Sequence, residues 1–215
     1  MSVDYRIYDR RFFRNTIEFE AGSAQAAAGI LYHHFRPSSV VDLGCGCGIY
    51  LREFQSLGAE IAGYDGSPAA LEESLVGDRL KIADLSQPFF PDKRYDLCLC
   101  FEVAEHLPEE SSDTLVDSLV RCSDTIIFTA AIPGQGPESI GHINEQPHEY
   151  WIKKFQARGL EWQADLSEKL KKEMESADVV WWIAQNLMVF KHKRQHIYRF
   201  HLKIYNIIKN FLNEC

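Results

Sequence analysis

The chain has 215 residues, 46% of them hydrophobic and 12% aromatic, enough to bury one large core, and its length suits a single α/β domain with additions. Lys and Arg number 23 against 31 Asp and Glu, a formal charge of -8, which disfavours broad nucleic-acid binding because that needs excess cation to release counterions from phosphates. No apolar run approaches the roughly 20 residues that span a bilayer, and the first residues, MSVDYR, lack the basic-then-apolar order of a secretory leader. A cytoplasmic protein without a transmembrane segment is expected.

From the N-terminus, residues 21–35, AGSAQAAAGILYHHF, are rich in helix formers and stop before Pro37, so residues 1–37 read as a helical segment ahead of the core fold. Strand-sized apolar runs follow at 40–43, 61–64, 80–82, 95–100 and 125–128. Helical patterns separate them at 49–57, 68–75 and 109–120, where Pro108 suits a first turn. Strands alternating with helices imply right-handed crossovers and a doubly wound, mostly parallel sheet covered on both faces. Beyond the fifth strand, residues 151–158 read as a helix, and 179–184 with 187–190 as one long late strand that completes a domain over 38–190.

In the last segment, 191–215, Ile197, Phe200, Ile204, Ile207, Ile208 and Phe211 recur at helical spacing beside Lys191, Lys193, Arg194, Arg199, Lys203 and Lys209. This basic amphipathic helix has three open uses: packing on its own domain, pairing in a homo-oligomer, or peripheral contact with an anionic membrane or glycan. The six cysteines are Cys45, Cys47, Cys98, Cys100, Cys122 and Cys215. Their two Cys-x-Cys pairs are closer than zinc sites usually space thiolates, one lying in a glycine loop and the other in a strand pattern, so reduced thiols are expected.

The first strand ends in Asp42-Leu43-Gly44-Cys45-Gly46-Cys47-Gly48 and runs straight into a helix, so a binding loop is expected at the carboxyl edge of the sheet. A dinucleotide loop usually reads Gly-x-Gly-x-x-Gly and opens a helix N-terminus to pyrophosphate, whereas this one reads Gly-x-Gly-x-Gly. Asp65 ends the second strand about 20 residues beyond the loop, where an acid can accept both hydrogen bonds of a ribose diol. Asp84 ends the third strand, where its carboxylate can accept from an adenine amine while Leu85 packs on the ring. Either Asp alone also suits a cap or a turn. Together with the loop they form an ordered set on three consecutive strand ends.

These residues, with Val40-Val41 before them and Phe101-Glu102-Val103-Ala104-Glu105-His106-Leu107 after, resemble the class I S-adenosylmethionine-dependent methyltransferases of the type 11 and type 23 domain group, over roughly residues 38–158. The resemblance implies a Rossmann-like seven-stranded sheet whose final strand is antiparallel. It implies S-adenosyl-L-methionine as cofactor, its methionine part bordered by Gly44, Gly46 and Gly48, its ribose by Asp65 and its adenine by Asp84 and Leu85. Asp42, Cys45, Gly66, Ala83, Phe101 and Glu102 complete the expected cofactor wall.

Methyl transfer from a sulfonium is an in-line displacement that depends on holding donor and acceptor in line. A hydroxyl acceptor must also lose a proton, to a base or with help from a metal. Glu102, Glu105 and His106 stand at i, i+3 and i+4, so a single helical turn is expected to converge them. The run resembles the metal-binding motif of the small-RNA 3′-terminal 2′-O-methyltransferases and of ubiquinone-pathway O-methyltransferases, in which a further histidine comes from beyond strand five. His142 is the candidate here. Two carboxylates with two imidazoles suit Mg²⁺, or better Mn²⁺ or Fe²⁺. The alternative is a metal-free base, His106 or His142, with Glu105 lining the pocket or capping a helix.

Residues 132–147 read as a long functional loop offering Gln135, His142, Asn144 and Gln146, while Trp151 reads as core. The expected activity is O-methylation, with N-methylation the lesser choice, of a small metabolite or sugar-like acceptor. An RNA 2′-O-methyltransferase is disfavoured by the acidic charge, and a non-catalytic methyltransferase-like scaffold is disfavoured by the intact acids at all three cofactor positions.

Overall fold

The structure, a computed structural model, describes residues 3, 6–135 and 140–192. The basic pattern from Lys193 to Phe211 therefore lies outside the described residues. The first helix, α1 (Arg10–Phe35), starts well before the alanine-rich stretch that announces it in the sequence. Asp9 caps it by accepting the Phe12 N–H at 2.8 Å, satisfying one of the donors a helix start leaves open. It ends on Arg36 in the left-handed region (φ 46°), directly before Pro37. Small residues Ala24, Ala27 and Ala28 line its buried face and let it lie close to α2 (Ile49–Ser56).

Seven strands form one sheet in the order β3-β2-β1-β4-β5-β7-β6, namely β1 (Ser39–Leu43), β2 (Glu60–Asp65), β3 (Leu80–Ile82), β4 (Leu97–Phe101), β5 (Thr125–Thr129), β6 (Leu160–Trp162) and β7 (Met188–His192). Strands β1 to β5 are parallel and β7 runs antiparallel to β5 and β6. The Rossmann-like sheet with an antiparallel last strand is thus observed. Lys191 and His192 extend β7 rather than beginning a helix.

Alternation along the central strands feeds two cores. Leu97, Leu99 and Phe101 of β4 pack on the side covered by α1, α2, α6 (Ala164–Ser176) and α7 (Trp181–Asn186). Cys98 and Cys100 point to the other side, among residues of α4 (Ser112–Cys122) and α5 (His148–Gln156). Both Cys-x-Cys pairs are free, buried thiols in these cores, so strand pleating and loop packing explain their spacing.

Three expectations are corrected. Residues 181–186 of the supposed late strand form α7, and only Met188–His192 is strand. A short apolar run suits a buried helix as well as a strand, and here Trp181 is exposed while Ile183 and Ala184 are buried. Second, α3 (Pro68–Glu72) stops three residues early. Third, the seventh strand that the resemblance implies, β6, and the helix α6 were not located in the sequence: β6 is three residues long, and α6 is highly charged, burying only Ser167, Leu170 and Met174.

Because β1, β2, β4 and β5 run in parallel register, with Leu43 beside Tyr64 and Phe101 beside Thr129, their carboxyl ends meet at one edge of the sheet. In the core beneath the sheet, Phe155 stacks on Phe190 at 4.0 Å between ring centroids and is fully buried with it. Phe155→Ala is expected to cost about 3–5 kcal/mol in urea-induced unfolding, the range for emptying an aromatic site in a core.

Candidate active-site cavity

A cavity of about 740 Å³ opens at that edge. Its floor is the loop after β1. Gly44, Gly46 and Gly48 all adopt positive φ (83°, 53° and 83°), which side-chain-bearing residues rarely do. Gly44 is also pinned by packing, since a Cβ there would lie 2.2 Å from a methyl of Val103. The Gly44 and Cys45 amides both donate to the Tyr64 carbonyl, at 2.7 and 3.1 Å, tying the loop to the end of β2. Asp65 completes the tie by accepting the Gly46 N–H at 2.9 Å and the Ser67 N–H at 2.8 Å, one on each carboxylate oxygen. Each oxygen keeps a further lone pair for a ligand.

Asp42, Gly44, Cys45, Gly46, Asp65, Gly66, Leu85, Phe101, Glu102, His106 and His142 line the cavity. Gly48, Ala83, Asp84 and Glu105 are not in its wall. Gly48 caps α2 behind the loop, and the exposed Asp84 turns back to accept the Ser86 N–H and hydroxyl at 2.9 and 2.7 Å. Its short side chain satisfies its own turn instead of reaching inwards. Ala83 is held by its N–H on the Asp65 carbonyl at 2.9 Å.

The expected single turn over Glu102, Glu105 and His106 is corrected. Glu102 sits in the left-handed region (φ 52°), its N–H on Thr129 Oγ1 at 3.0 Å, and a separate 3-10 turn covers Ala104–His106. Glu102 is therefore offset from the other two, with Oε1 accepting from Asn186 of α7 at 3.2 Å. Glu105, His106 and His142 do converge, their ligand atoms lying within 4.8 Å of one another. The loop after β5 makes this possible: the Ile143 and Asn144 amides donate to the Glu105 carbonyl at 2.8 and 3.0 Å, and buried Asn144 donates to Ala104 O and Ser112 Oγ, both at 3.2 Å. Asn144 and Gln146 thus anchor the loop, while Gln135 reaches the cavity wall and Trp151 is core.

Each histidine is held through Nδ1. His106 Nδ1 lies 3.2 Å from the Gly141 carbonyl, which only accepts, so the proton belongs on Nδ1, and Tyr8 Oη adds a contact at 2.7 Å. His142 Nδ1 meets Glu145 at 2.8 Å. Both Nε2 atoms are left for a ligand. Burial lowers the His106 pKa to about 4, so its ring is neutral at physiological pH.

Burial acts on the acids in the opposite sense. It raises Asp42 to about 7, with the Asp65 charge adding to the effect, and raises Glu20 to about 7, with Glu102 adding. Glu105 is pushed well above the ordinary range by burial and by Glu102. Its Oε1 accepts the Ala131 N–H at 3.3 Å, but its buried Oε2 has no donor among the described residues.

Two walls were absent from the sequence expectations. Tyr8, Phe12, Phe13, Thr16 and Glu20 come from α1 and the residues just before it, and Trp181, Trp182 and Ile183 come from α7. The Asp9 cap and the 13-16-20 spacing were the available signal for the first; misassigning 179–184 as strand hid the second.

A family model described as a methyltransferase domain, type 23, matches residues 8–165. Ubiquinone biosynthesis O-methyltransferase from Paraburkholderia phytofirmans is 31% identical over 87 residues, which cover 37% of this chain and only 38% of that protein. Among solved structures, a methyltransferase in complex with the Haloferax volcanii Trm112 methyltransferase activator superimposes with a TM-score of 0.60 at 17% identity, over 88% of this chain and 97% of that one. A TehB-like SAM-dependent methyltransferase from Corynebacterium glutamicum gives 0.58 at 17%, over 85% and 95%. These likenesses carry the fold, and the family match carries the assignment: the chain belongs to the type 23 methyltransferase-domain family of class I S-adenosylmethionine-dependent methyltransferases.

Proposed function

We propose that this enzyme methylates a hydroxyl oxygen of a small metabolite, with the acceptor held beside Glu105, His106 and His142. The observation that carries this reading is the pair of histidines whose Nδ1 atoms are engaged and whose Nε2 atoms are free, next to a buried carboxylate oxygen without a donor. Amines need no proton acceptor of this kind once uncharged; hydroxyls do.

The same donor set fits a divalent cation. Orienting a metal-ligating imidazole through a carbonyl or carboxylate on its other nitrogen is the usual supporting arrangement, and Gly141 O and Glu145 provide it here. Glu105, His106 and His142 would hold Mg²⁺ or Mn²⁺, with Glu102 beside them, and such an ion supplies acidity and orientation to a bound hydroxyl. The neutral His106 ring is in the form that binds a cation.

On the donor side, the glycine loop borders the methionine moiety, Asp65 takes the ribose diol and Leu85 packs on the adenine. Asp84 is engaged in its own turn, so Leu85 is the adenine-side residue this arrangement supplies. The aromatic wall of Tyr8, Phe12, Trp181 and Trp182 excludes water from the transfer and offers apolar faces to the acceptor.

Two outcomes are expected. Asp65→Ala should weaken S-adenosylmethionine binding by about 1.5–3 kcal/mol in titration calorimetry, as for loss of a hydrogen bond to a charged group; unchanged affinity in the folded variant contradicts the ribose assignment. EDTA should suppress turnover and Mn²⁺ or Mg²⁺ restore it, while His142→Ala lowers turnover roughly 10–100-fold and leaves cofactor affinity near wild type. EDTA insensitivity, with the same loss of turnover in His142→Ala, identifies a metal-free base instead.

A further inference from the structure

Glu20 takes no part in the chemistry above, yet it lines the same cavity. It stands on α1 at i+4 from Thr16 and i+7 from Phe13, the face of the helix that meets the glycine loop. Phe13 marks the closeness of that approach, because a Cβ on Gly46 would come within 3.3 Å of its ring. About two turns further on, Glu20 is within electrostatic reach of Cys47, Tyr50 and Glu102. Its carboxylate has no hydrogen bond or ion pair to any described residue.

Across the loop, Asp42 repeats the pattern: it is 2% exposed and its Oδ1 has no partner. A desolvated carboxylate without a counter-charge is costly, and Glu20 and Asp42 both line the cavity in that condition. Lys and Arg are missing from the described residues of the cavity wall, so the ligand has to bring that charge.

We propose that Glu20 binds the α-ammonium of the cofactor's methionine moiety, so that α1 closes over the amino-acid end of the donor. This rests on the placement of that moiety against the glycine loop proposed above. Glu20 is then a binding residue for the donor, and the charge it meets is present in S-adenosylmethionine and in its product S-adenosylhomocysteine alike. The transferred methyl is not involved, so product binding measures the contact directly.

The test is titration calorimetry at pH 8 with S-adenosylhomocysteine and with its analogue lacking the α-amine. Glu20→Gln is expected to weaken S-adenosylhomocysteine roughly 10-fold or more, the scale of one charge-assisted hydrogen bond. It should change affinity for the deaminated analogue by less than about twofold, since the partner is already gone, as in any double-mutant cycle. Glu20→Asp keeps the charge one methylene shorter; it should fall between wild type and Gln, and it serves as the test if Glu20→Gln fails to fold. Equal affinity of wild type and Glu20→Gln for S-adenosylhomocysteine overturns the proposal. So does an equal loss for both ligands, which signals a structural role. Asp65→Ala separates the two levels: if it weakens S-adenosylhomocysteine while Glu20→Gln does not, only the ammonium contact is wrong, and if neither does, the cofactor placement fails with it.

Discussion

Asp42, Glu20, Asp65 and Glu102 share one cavity wall, and burial holds each of their carboxyls above its ordinary range. The parallel sheet creates this concentration. It delivers the ends of β1, β2 and β4 to one edge, so acids that are far apart in sequence become neighbours. Among the described residues, Asp65 is compensated by two backbone N–H groups and Glu102 accepts from Asn186. The others are partly satisfied at best, and a group left in that condition at a cleft marks a place where a ligand completes the structure. In the proposed reading, a cationic sulfonium donor with an ammonium group meets that need.

The acceptor side depends on a second constraint, the docking of the loop after β5 onto the Ala104–His106 turn. Backbone amides of Ile143 and Asn144 close on the Glu105 carbonyl, and Gly141, at φ 79°, lets its carbonyl approach His106 in a space where a Cβ would lie 2.8 Å from Tyr8 Oη. This docking brings His142 against the His106 ring, 4.8 Å between centroids, where its Nδ1 meets Glu145. The order of the loop and the placement of the histidine pair are therefore linked.

Much of the loop and strand-end geometry proposed as the donor side was legible from sequence because it is written in short-range signals. Glycine at alternating positions, an acid at the end of the next strand and strand-helix alternation each follow from a local rule, and the fold keeps them. What stayed hidden depends on tertiary context. Trp181 to Ala184 form an apolar run that suits a strand but folds as α7, which packs on α6 and β5. Glu102 leaves the helical spacing of Glu105 and His106 because its backbone turns left-handed at the end of β4, which no propensity of Glu foretells. Asp84 has the right position and is spent on Ser86. Glu20 is invisible as a cavity residue until α1 is known to begin at Arg10 and cross the glycine loop.

The central claim is that the ligand-free cavity buries carboxyl charge it cannot compensate. Asp42 tests it most directly, because its folded-state value near 7 lies far above its ordinary 3.8 through burial, with the Asp65 charge second. A carboxyl raised in this way is bound to its proton more tightly in the folded than in the unfolded chain, so its favourable contribution is fully present below about pH 4 and is lost as pH rises through about 7. His106 acts in the opposite direction over part of that window, but it is common to wild type and variant and drops out of their difference. Urea unfolding of ligand-free wild type and Asp42→Asn from pH 4 to pH 8 should show wild type losing stability relative to the variant as pH rises. A difference that stays constant with pH, or one that grows in favour of wild type, would contradict the account.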